Sequence, residues 1–150
     1  MDAIDRAILS VLQREGRISV TDLAARVQLS VSPCHRRLRD LERSGVITGY
    51  RAVLDREDLG LGFEAVVFIT MQQADRSTIA AFEEEVTKIP LVIEAQRLFG
   101  DPDFLLRVVS RDLPAFQQLL DDRIASLPGV QRTRSTMVMK HVVRDRPLPA

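Results

Sequence analysis

The residues best equipped for chemistry in this 150-residue chain fall into two short groups. The first is Ser30, Ser32, His35, Arg36, Arg37 and Arg39. An arginine guanidinium can grip guanine O6 and N7 with two hydrogen bonds, while serine and histidine bond phosphates or base edges. At a helix N-terminus, Ser30 adds unpaired backbone N–H groups for a phosphate. The second group is Gly100, Asp101 and Asp103, with the hydroxyls of Thr133, Ser135 and Thr136 further along the chain. A free amino acid presents a carboxylate and an ammonium. Backbone N–H groups and hydroxyls suit the first, and an aspartate suits the second through a charge-assisted bond. Gly100 allows close backbone approach, because no Cβ intervenes.

Catalysis has little to stand on. The sequence contains no phosphate loop, metal-ligand cluster or nucleophile–base pair. Cys34 sits in an apolar stripe and reads as a small core residue; His141 stands alone near a strand end. Aspartates such as Asp101 and Asp103, either side of Pro102, are common in hairpin turns for local hydrogen bonding alone. The chain is therefore expected not to be an enzyme and to need no metal or cofactor. One cysteine excludes an intramolecular disulfide and fits a reducing cytoplasm. The opening Met1-Asp2-Ala3-Ile4-Asp5 lacks the basic start and apolar core of a signal peptide. No run approaches the ~20 apolar residues of a membrane helix.

Net charge is zero, but its distribution is uneven. Residues 1–50 carry eight arginines against six acids, and residues 51–150 carry thirteen basic groups against fifteen acids. Between Ser30 and Arg51 there are five arginines and two acids, the local excess expected of a segment that meets phosphate. Arginine far outnumbers lysine, which appears only at 88 and 140 and points to a GC-rich bacterial genome.

These groups need elements to position them. Ile4, Ile8, Val11 and Leu12 recur at helical spacing and predict a first helix stopped by Gly16. Ser19 caps a second helix, with Asp22 in a capping-box position. After the turn Val27–Ser30 a third helix begins, with Pro33 in its first turn and Val31, Cys34, Leu38 and Leu41 as its buried stripe. That stripe leaves Ser32, His35, Arg36 and Arg39 on the opposite face, with Arg37 and Arg43 flanking. Gly45 ends the helix, and Val46–Leu54 reads as a β-ribbon, or wing. This is the arrangement that lays a recognition helix in the major groove.

The rest alternates strands and helices. Strands are expected at Phe63–Met71, Val92–Phe99, Phe104–Ser110 and Val130–Val142, and helices at Ser77–Lys88 and Leu113–Leu127. The order βαββαβ is that of a ferredoxin-like sandwich, with two helices on one face of an antiparallel sheet. The other face is left bare, with Phe68, Val108 and Met137 on it, and is expected to pair with a second copy. The expected domains are a winged helix-turn-helix over 1–54, a linker over 55–62, an α+β domain over 63–143 and a tail over 144–150.

The motifs Asp5-Arg6-x-Ile8-Leu9, Gly16-Arg17-Ile18-Ser19, Leu23-Ala24, Leu29-Ser30, Pro33-Cys34 and Arg37-Leu38 follow one another in order. Leu41-Glu42-x-x-Gly45-x-Ile47-x-Gly49-Tyr50, Gly100-Asp101-x-Asp103-Phe104, Leu127-Pro128-Gly129-Val130 and Thr133-Arg134-Ser135 continue them. Together, over about residues 2–143, they resemble the Lrp/AsnC (leucine-responsive/asparagine-responsive) regulators. The resemblance implies a winged helix-turn-helix joined to an ACT-like regulatory (RAM) domain. It also implies homodimers that assemble to tetramers or octamers, and transcription regulated by amino acids bound at the glycine–aspartate turn. Two positions depart from the family pattern. Gln28 stands where glycine is frequent, and Pro102 where an aromatic is common. A ligand-independent architectural DNA binder is the alternative reading.

Overall fold

In the computed structural model, which describes residues 1–149, the chain forms two compact units. One is Met1–Val53 together with the segment from Val142 onward; the other is Leu54–His141.

The first unit holds α1 (Ala3–Leu12), α2 (Val20–Arg26) and α3 (Val31–Arg43). Asp2 and Asp5 build a reciprocal capping box at the start of α1. Ser19 caps α2 by accepting from Asp22 N at 3.1 Å. Ile8, Leu23, Ala24, Cys34 and Leu41 meet in one buried cluster, and their helical spacing fixes which face of each helix turns outward. Gly45, at φ +75°, ends α3 in the left-handed conformation expected of a helix stop.

Three expectations for this unit need correction. Gly16 does not end α1, which closes at Leu12 with Gln13 as its cap, because the chain already turns there through Arg14 and Glu15 bonds to Val11 O. Val31 is 45% exposed and lies outside the buried stripe, since the first turn of α3 projects beyond the cluster. The wing segment forms no strand ladder among the described residues; Gly49, at φ +155°, interrupts it and no second segment pairs with it.

The second unit contains β1 (Phe63–Met71), α4 (Arg76–Val86), β2 (Val92–Arg97), β3 (Phe104–Ser110), α5 (Leu113–Leu119) and β4 (Val130–Met137). A π-helical turn, Leu120–Ile124, extends α5. The sheet is antiparallel in the order β2-β3-β1-β4, the ferredoxin-like order. Asp75 and Asp112 cap α4 and α5. One sheet face, bearing Ala65, Val67, Ile69, Phe104, Leu106 and Val108, packs on Ile79, Phe82, Phe116 and Ile124 of the helices. Phe82 and Phe104 stack with centroids 4.3 Å apart.

Val108 therefore belongs to the helix-covered core, fully buried, and not to the bare face: alternation puts it beside Leu106 and opposite Ala65. Met137, opposite Ala65, falls on the helix-side face as well, while Phe68 stands on the bare face as expected, with Val66 and Leu105 beside it. β2 stops short of Phe99, at Arg97 opposite the first residue of β3, and β4 stops short of Val142, at Met137 opposite Ala65. Residues 55–62, expected as a linker, join the second unit, and Val142 and Val143 join the first. No helix among the described residues is long and apolar enough to cross a membrane.

Candidate DNA interface and effector site

The helix-turn-helix is built around one backbone feature. Gln28 adopts φ +57°, the left-handed conformation that lets Leu29 N return to Ala24 O at 2.9 Å and aims the chain into α3. Any residue with a Cβ is strained there, and glycine would take the same conformation without that cost. Ser30 then stands at the N-cap of α3 with its hydroxyl making no cap bond.

Around α3 the buried stripe sets the outward face. Ser30, Ser32, His35, Arg36 and Arg39 are all exposed on it, and among the described residues neither Arg36 nor Arg39 is held in an ion pair. Arg37 differs from the other five. Its Nη1 donates to Asp2 Oδ2 at 2.7 Å and to Asp5 Oδ1 at 2.8 Å, so it ties α3 to the start of α1. These bonds hold the Asp2 carboxyl below its ordinary range: the Asp5 backbone N–H contributes most, then the Arg37 guanidinium. Arg37 is thus turned inward as a structural brace, where i,i+3 spacing alone had left it flanking the interface. Tyr50 donates its hydroxyl to Glu42 Oε1 at 3.0 Å and fastens the wing segment to α3. Cys34 is buried, and burial pushes its thiol up, the opposite of a nucleophile's requirement.

In the second unit the β2–β3 turn brings Gly100 to φ +144°, and a Cβ placed there would meet nothing within 4 Å. Asp103 is committed to the fold. Its N–H donates to Ile69 O at 2.9 Å and its Oδ2 accepts from Met71 N at 2.7 Å, which pins the turn to β1. Asp101 is the free acid. It borders a cavity of about 170 Å³ with Phe68, Thr70, Pro102, Arg132 and Arg134. Strand register explains the company: Phe68 lies opposite Arg134 and Thr70 opposite Arg132. The Arg134 guanidinium sits 4.9 Å from the Phe68 ring centroid, a cation–π contact.

Two of the expected hydroxyls fall elsewhere. Thr133 and Ser135 pair with Ile69 and Val67, so they share the helix-side face, away from this cavity. Thr136 is on the cavity's face, opposite Val66, but does not line it. The two cations were missed; reading β4 with period two puts Arg132, Arg134 and Thr136 on one face and would have found them.

A second cluster on the same sheet face was also missed. Glu64 is 7% exposed and holds three partners through four hydrogen bonds. Oε1 accepts from Arg107 Nε at 3.0 Å and Nη2 at 2.8 Å; Oε2 meets Arg56 and, at 2.8 Å, His141 Nε2. Arg107 reaches on to Glu94 at 2.8 Å. Burial alone would raise the Glu64 carboxyl, but hydrogen bonds from Arg107, His141 and Arg56 outweigh it and pull it down to about 2. His141 is therefore not solitary: it closes this cluster. No group of three or more His, Cys, Asp or Glu among the described residues is placed to hold a metal.

Residues 64–148 match the family described as Lrp/AsnC ligand binding domain, and residues 1–48 match winged helix-turn-helix DNA-binding. The chain is 38% identical to the Bkd operon transcriptional regulator of Pseudomonas aeruginosa, covering 95% of this chain and 94% of that protein. It is 38% identical to the leucine-responsive regulatory protein of Escherichia coli K12, covering 99% and 90%. Among solved structures, a transcriptional regulator of Neisseria meningitidis in complex with L-Met superposes with a TM-score of 0.95 at 36% identity, over 99% and 96% of the two chains. An AsnC family regulator from Agrobacterium tumefaciens superposes with a TM-score of 0.93 at 34% identity, over 99% and 97%.

Proposed function

The chain belongs to the Lrp/AsnC family of DNA-binding transcriptional regulators, and from that premise we propose how its own residues read DNA and take an effector. It is a regulator with a ligand-binding domain, not an enzyme. The observation that carries the DNA reading is the outward face of α3, where Ser32, His35, Arg36 and Arg39 stand exposed on a helix whose opposite stripe is locked in the core. Arg36 and Arg39 read base edges in the major groove, and Ser30 and the first N–H groups of α3 hold a phosphate. Arg37 supports this face from behind.

The effector is an amino acid, bound at the β2–β3 turn of the cytoplasmic protein. Its ammonium goes to Asp101 and its carboxylate to Arg132 or Arg134, two guanidiniums placed for charge-assisted bonds. Gly100, at φ +144°, shapes the turn that carries Asp101 to the cavity. The Neisseria relative's complex with L-Met supports this class of ligand. Homodimers form through the bare sheet face, where Val66, Phe68 and Leu105 supply apolar area, and assemble further to tetramers or octamers. A ligand that binds one assembly better than another then shifts operator affinity.

Titration of operator DNA with and without each of the twenty amino acids tests the whole reading. Arg36→Ala and Arg39→Ala should each weaken binding by ~1–3 kcal/mol where a bidentate base contact is lost. Affinity within twofold of wild type for both refutes the interface. Calorimetry on Asp101→Ala, Arg132→Ala and Arg134→Ala tests the pocket: unchanged binding in all three places it elsewhere. If no amino acid binds at millimolar concentration, the regulator either takes another class of metabolite or acts as a ligand-independent DNA binder.

A further inference from the structure

The segment after β4 is built to be held. Residues 144–149 read Arg-Asp-Arg-Pro-Leu-Pro and belong with the N-terminal unit. Pro147 and Pro149 carry no N–H, and Pro149 restricts Leu148 to extended backbone. Pro147-Leu148-Pro149 is thus a preformed polyproline-type piece that offers a single N–H, at Leu148. Gln13, the cap residue of α1, meets both polar groups of that residue. Its Nε2 donates to Leu148 O at 3.1 Å, and its Oε1 accepts from Leu148 N at 2.6 Å. A primary amide with one donor and one acceptor so used reads backbone, not side chain. The Leu148 side chain is 76% exposed, consistent with a hold through the main chain.

Beside this clamp lies an open groove of about 370 Å³ walled by Leu9, Leu12, Val46 and Tyr50, with Leu148 and Pro149 themselves forming part of its rim. An apolar groove with an aromatic wall suits proline-flanked segments, because they lose little entropy on docking. Asp145, at φ +47°, bends the segment, and its carboxylate lies 4.0 Å from Arg51 Nη2. Aspartate tolerates that left-handed conformation better than most residues.

We propose that the groove between α1 and the chain after α3 is a docking site for a proline-flanked extended segment. Its resident occupant is residues 144–149 of the same chain, and docking modulates operator affinity. The physical basis is connectivity. The segment leaves β4, which carries Arg132 and Arg134, and returns to the DNA-binding unit, so that unit is attached to the other at two points in the chain instead of one. A second attachment removes arrangements that a single linker would allow. Two hydrogen bonds exposed to water hold only weakly, so docked and free states are both within reach of a regulator. The docking stands on the N-terminal unit's own geometry; its effect on affinity rests on the DNA reading above.

Amide hydrogen exchange on the full chain tests the docking. In wild type, Leu148 N–H should exchange about tenfold more slowly than in a free chain. Gln13→Leu should abolish that slowing while Ile8 and Leu12 stay protected. A Leu148 amide at the free-chain rate in wild type overturns the docking; slowing that survives Gln13→Leu overturns the clamp; slowing that fades on dilution assigns the occupant to a second copy and overturns the same-chain assignment. Leu148→Pro deletes the one N–H without touching α1. Both variants should shift operator affinity in the same direction by about threefold or more. Affinities within about 1.5-fold of wild type, with exchange protection lost, overturn the regulatory role while Arg36→Ala still reports DNA binding independently.

Discussion

Replacing Glu64 by Gln should cost the C-terminal unit much of the stability gained from its ionic cluster. The carboxyl has an ordinary value of 4.5 and is pulled down to about 2 in the fold, a difference of 4.5 − 2 = 2.5 units. At about 1.36 kcal/mol per unit this is roughly 3 kcal/mol of differential stabilisation. The Glu64 side chain is 7% exposed, but Arg56 and Arg107 are 20% and 28% exposed, so water screens part of it. A loss of about 2–3 kcal/mol at pH 7 is the expected outcome. The sign with pH follows from a folded-state value below the unfolded one. The contribution is complete above about 4.5 and is lost as pH falls toward 2, so the gap between wild type and Glu64→Gln should be about halved at pH 3. Urea unfolding at fixed protein concentration, at pH 7 and pH 3, measures it; the concentration must match because assembly adds stability. A gap below ~1 kcal/mol at pH 7, or one that fails to narrow at pH 3, refutes the argument.

Other perturbations separate bracing from recognition. Arg37→Ala should lower the melting temperature, because the tie to Asp2 and Asp5 goes, and should weaken operator binding less than Arg36→Ala does in a gel-shift titration. Gln28→Gly should raise stability in denaturant titration by about 0.5–1 kcal/mol, since glycine takes φ +57° without strain. Gly129→Ala should destabilise by about 2 kcal/mol or more in the same assay. Gly129 has φ +73°, and a Cβ there would lie 2.2 Å from Thr78 Cγ2 and 2.8 Å from Met71 Cε.

What the sequence made legible divides along physical lines. Helix faces follow from a 3.6-residue period, so Cys34 and Leu41 could be placed inside and Arg36 and Arg39 outside without coordinates. The βαββαβ order follows from alternation and turn residues, and with it the sheet order. Long-range pairing was not legible. Arg37 meets Asp2 across 35 positions and Asp103 meets Met71 across 32, and neither partner is marked by local spacing. Glu64 and His141 lie 77 positions apart, which is why that histidine looked solitary.

The effector turn shows how register decides function where residue type does not. Asp101 and Asp103 are chemically equivalent two residues apart, yet one carboxylate is consumed by Met71 N and the other borders the cavity. On β4, alternation divides the polar residues the same way: Thr133 and Ser135 turn to the helix-side face while Arg132 and Arg134 turn to Asp101's. A one-residue slip of β4 against β1 would exchange these sets, presenting two neutral hydroxyls where two guanidiniums now stand. The bulge at Thr70/Met71 sits beside the strand's first pair, Met71 with Val130, immediately after Gly129. Gly129, whose O also accepts from Gln72 N at 2.8 Å, therefore sets the register at the point where β4 begins, and through it the charge of the pocket. A substitution there should alter ligand charge preference as well as stability, because both depend on the same alignment of β4.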